Sequence, residues 1–314
     1  MTKAVRVEKS MKTKTTWKND FVMNWGIYLL FLPVLVYFII FHYLPMFGIT
    51  MAFQDFNATK GILGSEFVGF KHFIEFFTNP SFWFILRNTM VISLLGLFIG
   101  MPLSIVFALL LNEIHLTKFK KTVQTISYMP YFISTVVIAG LVIEFVSSNG
   151  IITNLLVSVF QIKRENLLLN PSYFWWINLA TDIWQSTGYG AIIFIAAITS
   201  VSQEQHEAAA MDGATRLQRV WHVTLPAITP TIVTMLVLRL GMIMTVGFDK
   251  ILLLYNPTIL STADVISTHV VRMGLERMQY SYSAAVGLFN SVVGTLLLVI
   301  SNTISRKLAD TSVY

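Results

Sequence analysis

The sequence predicts an all-α polytopic membrane protein with six transmembrane helices. Of its 314 residues, 55% are hydrophobic and only 12% are charged, whereas a soluble domain has about 25% charged residues. Six separate runs are apolar and long enough to cross a bilayer. Cysteine is absent, which excludes disulfides, thiolate catalysis and cysteine-based metal sites.

Each apolar run covers roughly 30 Å of hydrocarbon at about 1.5 Å per residue. The spans are predicted at residues 24–46, 85–111, 123–146, 173–200, 226–247 and 281–305. They form one predicted transmembrane domain, residues 24–310, which a basic segment at residues 1–23 precedes. A polar loop, residues 201–225, separates the fourth span from the fifth; we call it the EAA loop.

Lysine and arginine are distributed unevenly between the two sides of the predicted membrane domain. With the N-terminus in the cytoplasm, thirteen basic residues lie on the inner side and seven, spread over longer loops, on the outer side. Cytoplasmic loops carry such an excess, so we expect both termini and the EAA loop in the cytoplasm. Because the basic residues sort by loop, the net charge of +6 does not indicate nucleic-acid binding.

The EAA loop and the start of the fifth span include the stretch EAAAMDGATRLQRVWHVTLP, residues 207–226. Ser202 followed by Gln205 is a capping-box pattern, which predicts that a helix begins there. Gly213 can end this helix with a positive φ angle, and Pro226 suits the first turn of the fifth span. These signals predict a helix-turn-helix against the inner face of the membrane. By the residues alone, a purely structural loop explains them equally well.

The same stretch resembles the EAA motif of binding-protein-dependent ABC importer permeases. That motif reads E-A-A, three residues, Gly, nine residues and then I-x-L-P, and the matching residues here are Glu207, Ala208, Ala209, Gly213, Val223, Leu225 and Pro226. Val223 replaces the usual isoleucine, which changes little in volume. The resemblance implies the type I ABC importer permease fold, in which this motif is a coupling helix docked in a groove of a separate ATPase subunit. We expect the Glu207 carboxylate to pair with a basic group there.

Four further stretches look like the permease subgroup that serves complex oligosaccharides and polysaccharide fragments. They are FKKTVQTISYMPYFIS, GFDKILLLYNP, STADVISTHVVRMGL and YSYSAAVGLFNSVVG. The resemblance covers roughly residues 25–310. It implies a bacterial cytoplasmic-membrane location, contact with membrane lipid, and four kinds of partner: a second homologous permease, two ATP-binding subunits, an extracytoplasmic solute-binding protein and an oligosaccharide.

The chain lacks the motifs of an energy-converting or catalytic protein. No G-x-x-x-x-G-K-[ST] phosphate loop occurs, so we expect ATP and magnesium to be bound by the partner subunits and no cofactor to be bound here. The six histidines are scattered without the spacing of metal ligands, and no metal site is predicted. Gly188 and Gly190 in STGYG are better explained by helix packing than by a phosphate loop or selectivity filter.

Two charged residues inside predicted spans mark a candidate solute path. Asp182 in the fourth span and Arg239 in the fifth lie at similar predicted depth, and intramembrane charges face a partner or a watery cavity. The sequence leaves open whether they form an ion pair or line the path. If the cargo is an acidic saccharide, Arg239 gains interest as its counter-charge.

Further candidate path residues supply hydroxyl-directed hydrogen bonds and aromatic faces, the two features that a carbohydrate requires. They are Trp184, Gln185, Tyr189 and Asn290. For each aromatic residue, packing or lipid contact is an alternative role.

The leading hypothesis is a non-enzymatic permease subunit of an ATP-driven importer of oligosaccharides or polysaccharide fragments. An importer permease for another small solute is the nearest alternative. A secondary transporter would need coupling-ion carboxylates or broken helices in paired repeats, and neither is evident. An intramembrane enzyme would need a catalytic constellation, and none is present in the sequence.

Overall fold

The computed structural model describes residues 17–245 and 247–309. The chain divides into two compact units, Met1–Thr50 and Met51–Tyr314. Most of the predicted basic segment, residues 1–16, lies outside the described residues. In the first unit, α1 (Trp17–Met23) leads into α2 (Trp25–Phe38).

The described residues of the second unit form helices and one small hairpin. Its strands are β1 (Gln54–Asp55) and β2 (Glu66–Phe67), paired antiparallel. Its helices are α3 (Gly61–Gly64), α4 (Lys71–Thr78), α5 (Phe82–Leu95), α6 (Met101–Asn112), α7 (Thr117–Tyr128), α8 (Thr135–Phe145), α9 (Ile151–Phe160), α10 (Pro171–Thr199), α11 (Gln203–Met211), α12 (Arg216–Arg219), α13 (Leu225–Gly241), α14 (Phe248–Leu254), α15 (Leu260–Ala263), α16 (Ile266–Val271) and α17 (Tyr280–Ala309).

Among the described residues, four continuous helices are long and apolar enough to cross a membrane. They are Trp25–Phe53, Phe82–Asn112, Arg216–Gly241 and Tyr280–Arg306. A bent pair, Thr117–Phe132 with Thr135–Phe145, makes a fifth if the two count as one span. The predicted count of six is not confirmed by these criteria. It requires α10 to cross as well, and the polar residues of α10 lower its hydropathy.

The predicted third span, residues 123–146, is not one straight helix. The chain bends by 96° between its two helical parts, and Ser134 at the break has extended backbone angles (φ −55°, ψ 138°). Pro130 provides a physical reason, because it has no N–H to donate to the preceding turn. A 3-10 turn, Met129–Phe132, follows α7 and ends at the break.

The predicted fifth span begins earlier than its apolar residues indicate. The helix is continuous from Arg216 to Gly241, so the second piece of the EAA loop and the span form one rod. A π-helical turn, Val220–Thr224, joins them, and the Leu225 N–H bonds to the Val220 carbonyl. This wider turn shifts the hydrogen-bond register just before Pro226, which cannot donate.

Helix α10 lies at the centre of the second unit. It packs against α6, α7, α13 and α15. Near its Pro171 end, a buried apolar cluster joins residues of α8, α10 and α14, including Ile138, Phe174 and Ile251. Toward its other end, α10 packs against α6 and α13 through Phe194, Ala108 and Ile228. Every candidate path residue of α10 is therefore held between two packed clusters.

Candidate solute path and EAA loop

The EAA loop forms the predicted turn, but its capping differs from the prediction. Ser202 is the N-cap of α11, and its side chain makes no capping hydrogen bond. The capping box forms instead at α12, where the Thr215 side chain accepts from the Gln218 N–H and Gln218 accepts from the Thr215 N–H at 2.8 Å. Gly213 has φ +81°, as predicted for the residue that ends the first helix.

The first helix of the EAA loop presents an exposed surface. Glu207 and Ala208 are exposed, and Ala209 is half-buried. Met211 at the end of this helix is 88% exposed. Small alanine side chains beside an exposed methionine leave room for a close-packed partner surface.

The remaining EAA residues lie behind this surface. A cleft of about 280 Å³ is lined by Ala209, Gly213, Arg219, Val223 and other residues of the loop. Leu225 is half-buried and Pro226 exposed at the start of α13. The motif thus divides into an exposed face, a turn glycine and a base that is continuous with the membrane helix.

Asp182 on α10 forms an ion pair with Lys250, which lies beyond the predicted end of the fifth span. The Lys250 ammonium bonds to Asp182 Oδ1 and donates to the Asn178 carbonyl at 3.1 Å. Asn178 Nδ2 donates to the other oxygen of Asp182 at 3.2 Å. Lys250 is only 5% exposed, whereas the Asp182 side chain is 40% exposed. The sequence feature that indicates such a pair is the acidic residue within a span, because an intramembrane carboxylate usually pairs with a cation.

Arg239 shares a cavity with Asp182 without pairing to it. The cavity has a volume of about 210 Å³ and is lined by Ser93, Gly96, Gly100, Ser186 and apolar residues besides the two charged ones. In the described part of the chain, Arg239 forms no ion pair. Because Lys250 neutralises Asp182, the three formal charges leave one positive charge at this cavity.

The other predicted path residues of α10 separate onto two faces. Gln185 and Tyr189 follow Asp182 by three and seven residues, which places all three on one helical face. Trp184 lies on the opposite face, where it lines an apolar groove of about 440 Å³ with Trp176 and neighbouring residues. Asn290 of α17 is half-buried, and its buried Oδ1 has no hydrogen-bond partner among the residues that the structure describes.

An aromatic cluster extends the polar face of α10 and was missed from the sequence. The Tyr189 ring stacks on that of Tyr131 at 3.7 Å between centroids and 4° between planes. Phe132 lies edge-on to both rings. The neighbouring Gly188 permits this approach, since a Cβ there would lie 2.1 Å from the Ser127 carbonyl oxygen. The packing role predicted for Gly188 is therefore confirmed.

A second buried ion pair holds the segment between α15 and α17. Arg272 forms a two-pronged contact with the Asp264 carboxylate, and His269 Nδ1 lies 3.5 Å from the same group. Burial raises the pKa of Asp264, but hydrogen bonds from His269 and Arg272 together with their charges outweigh burial and lower it below its ordinary value. This network keeps Asp264 ionised.

Comparisons with known proteins agree with the motif. Residues 100–310 match the family described as "Binding-protein-dependent transport system inner membrane component". The polygalacturonan/rhamnogalacturonan transport system permease protein YteP of Bacillus subtilis is 43% identical over 288 residues, which cover 92% of this chain and 90% of that protein. Protein LplB of Bacillus subtilis is 42% identical over 293 residues, or 93% and 92% of the two chains.

A solved structure is similar over nearly the whole chain. It is the crystal structure of a bacterial alginate ABC transporter in complex with an alginate pentasaccharide-bound periplasmic protein. One of its chains matches with a TM-score of 0.86 and 41% identity, covering 95% of this chain and 99% of that one. The fold and family predicted from the EAA motif are confirmed. The chain belongs to the binding-protein-dependent transport system inner membrane components, as a permease subunit of an ABC transporter.

Proposed function

We propose that this permease imports acidic oligosaccharides, or fragments of acidic polysaccharides, into the cytoplasm. The observation that carries the proposal is the charge of the α10 cavity, where Lys250 neutralises Asp182 and Arg239 remains available. A guanidinium presents two parallel N–H donors that match a carboxylate. The cargoes named for similar transporters, polygalacturonan/rhamnogalacturonan and alginate, support a uronate-containing saccharide.

The energy for transport comes from partner subunits. Two ATP-binding subunits bind ATP and magnesium, and the exposed face of α11 docks in a groove on one of them, with Glu207 paired to a basic group. Because the second piece of the EAA loop is continuous with α13, a displacement of the docked helix passes directly to the membrane. A second homologous permease completes the pathway, and an extracytoplasmic binding protein delivers the solute.

The orientation follows from charge and from the coupling role. The EAA loop and both termini lie in the cytoplasm, with the Pro171 end of α10 toward the exterior of a bacterial cell. Closure of the ATP-binding subunits then tilts the spans as near-rigid bodies and exposes the cavity to one side or the other. The excess of basic residues on the proposed inner side supports this arrangement.

The decisive experiment uses the complete importer reconstituted in lipid vesicles with its binding protein. ATP hydrolysis is measured against a panel of oligosaccharides matched in length, neutral and uronate-containing. We expect stimulation by uronate oligomers above that by neutral ones. Equal stimulation by both would contradict the acidic cargo, and no stimulation by any saccharide would contradict the class of cargo. Glu207→Ala tests coupling separately, because full uptake and normal ATPase association would exclude the proposed pairing.

A further inference from the structure

We propose that Tyr131, Phe132 and Tyr189 form a sugar-stacking platform on the solute path, at the break between α7 and α8. This inference rests on the proposed function, since it identifies a second contact of the same path. It adds two residues, Tyr131 and Phe132, and it gives the broken helix a role in binding the saccharide ring.

The platform lies within the thickness of the membrane. Helix α10 has 29 residues, or about 43 Å, which exceeds the roughly 30 Å of hydrocarbon. Tyr189 precedes Thr199 by ten residues, about 15 Å from that end of the helix. With α10 centred on the hydrocarbon, Tyr189 and the stacked Tyr131 are inside the apolar layer. The extended backbone at Ser134 belongs to the same region.

Hydrocarbon is an unsuitable neighbour for this region. Tyr131 is 43% and Tyr189 40% exposed, and within residues 17–245 and 247–309 neither hydroxyl has a hydrogen-bond partner. An unpaired hydroxyl is unfavourable in an apolar medium. Non-helical backbone at membrane depth occurs only where it is buried in protein or lines a watery cavity. The exposed break and its tyrosines are therefore suited to an aqueous path and not to contact with lipid.

The platform continues the polar face that includes the Arg239 cavity. Tyr189 follows Asp182 by seven residues on the same face, a separation of about 10 Å along the helix. Gln185 and Ser186 lie between them. A saccharide of several rings spans such a distance, so one uronate can contact Arg239 while a following ring stacks on a tyrosine.

The chemistry of the cluster suits a sugar ring. A pyranose has an apolar C–H face, which an aromatic face can cover, and hydroxyls at its rim, which a tyrosine hydroxyl can bond. Both rings of the stacked pair stay partly exposed, and Phe132 is 75% exposed beside them. Close packing of Gly188 against Ser127 fixes α7 on α10, which keeps the platform rigid.

A thiol-accessibility experiment tests the platform directly, because the native chain contains no cysteine. Phe132→Cys is introduced into the assembled importer in membrane vesicles and treated with a charged, hydrophilic maleimide. We expect labelling of this chain, and slower labelling when the binding protein and a uronate oligosaccharide are present with ATP. Leu296→Cys, on the exposed apolar face of α17, is the matched control and should stay unlabelled.

Two outcomes would overturn the proposal. Absence of labelling at position 132 would show that the platform is covered by lipid or by the second permease. Labelling that the saccharide leaves unchanged would show an aqueous surface that is not a binding site. If Phe132→Cys does not assemble, Met129→Cys in the same exposed turn replaces it.

A kinetic comparison separates stacking from a structural role. Tyr131→Leu removes the aromatic face, and Tyr131→Phe keeps it while removing the hydroxyl. We expect Tyr131→Leu to raise the saccharide concentration for half-maximal ATPase stimulation by roughly three- to tenfold, with a smaller rise for Tyr131→Phe. A lower maximal rate at unchanged half-saturation in both variants would contradict binding. If the unmodified importer responds to no saccharide, the proposed function fails and not this inference.

Discussion

Lys250 of α14 reaches into the membrane domain and forms an ion pair with Asp182 in the middle of α10. Lys250 is nearly buried and also donates to the Asn178 carbonyl, so the short helix α14 is fixed to the central helix by a charged contact. The pair has two consequences. It anchors the segment after α13, and it leaves Arg239 as the uncompensated charge of the cavity.

We expect removal of one partner of this pair to cost more than removal of both. Lys250→Met leaves Asp182 without its cation, at a cost below the roughly 3–5 kcal/mol of a fully buried pair, because Asp182 is partly exposed. Asp182→Asn leaves the buried Lys250 unpaired and should destabilise more. Thermal unfolding of the purified complex measures the effects, and the double variant completes the cycle. Strictly additive losses would contradict the pairing.

The Arg239 charge should distinguish acidic from neutral cargo. Arg239→Gln removes a charge-assisted hydrogen bond, which contributes roughly 1.5–3 kcal/mol, so half-saturation for a uronate oligomer should rise about tenfold or more. Arg239→Lys keeps the charge without the forked geometry and should give an intermediate value. Saccharide-stimulated ATP hydrolysis is the measurement. An equal loss for neutral and acidic oligomers would assign Arg239 a structural role.

The Asp264 network predicts a loss of stability in acid. The pKa of folded Asp264 lies below its ordinary value of 3.8, so its stabilisation is complete above the unfolded pKa and is lost as pH falls through the folded one. The melting temperature should therefore decrease below about pH 4, and Asp264→Asn should lower it at pH 7 and flatten the acid limb. His269→Gln is the companion variant, because it removes the other titratable group in contact with Asp264. An unchanged acid limb in Asp264→Asn would contradict this assignment.

The close contact of α10 with α7 should not tolerate a methyl group. In Gly188→Ala the new Cβ meets backbone of Ser127, which cannot rotate away, so we expect a loss at or above the roughly 1–3 kcal/mol of overpacking. Gly140→Ala in α8 is a matched control, because no atom lies within 4 Å of its Cβ position. It should be neutral or stabilising by up to about 1 kcal/mol. Melting temperatures of the two variants give the comparison.

The helical class was predictable because long apolar runs have few folded solutions in a membrane. The EAA loop was predictable because its residues keep a fixed local spacing. The partner of Asp182 was not, since Lys250 is 68 residues away and only the packing of α14 brings the two together. The break near Pro130 was hidden by the continuous apolar composition of residues 123–146. The separation of Trp184 from the face of Asp182, in contrast, could be predicted from helical periodicity alone.

The turn glycine of the EAA loop provides a test of coupling that leaves the membrane helices intact. No atom lies within 4 Å of the Cβ position of Gly213, so Gly213→Ala is penalised only by its positive φ, at roughly 1–2 kcal/mol. The strain should reorient α11 and weaken its docking. Gly213→Asn is the control, because asparagine adopts this conformation more readily. We expect Gly213→Ala, but not Gly213→Asn, to lower both the ATPase that co-purifies and the solute imported per ATP hydrolysed. Equal coupling in both variants would show that the turn geometry does not position the helix that transmits the motion.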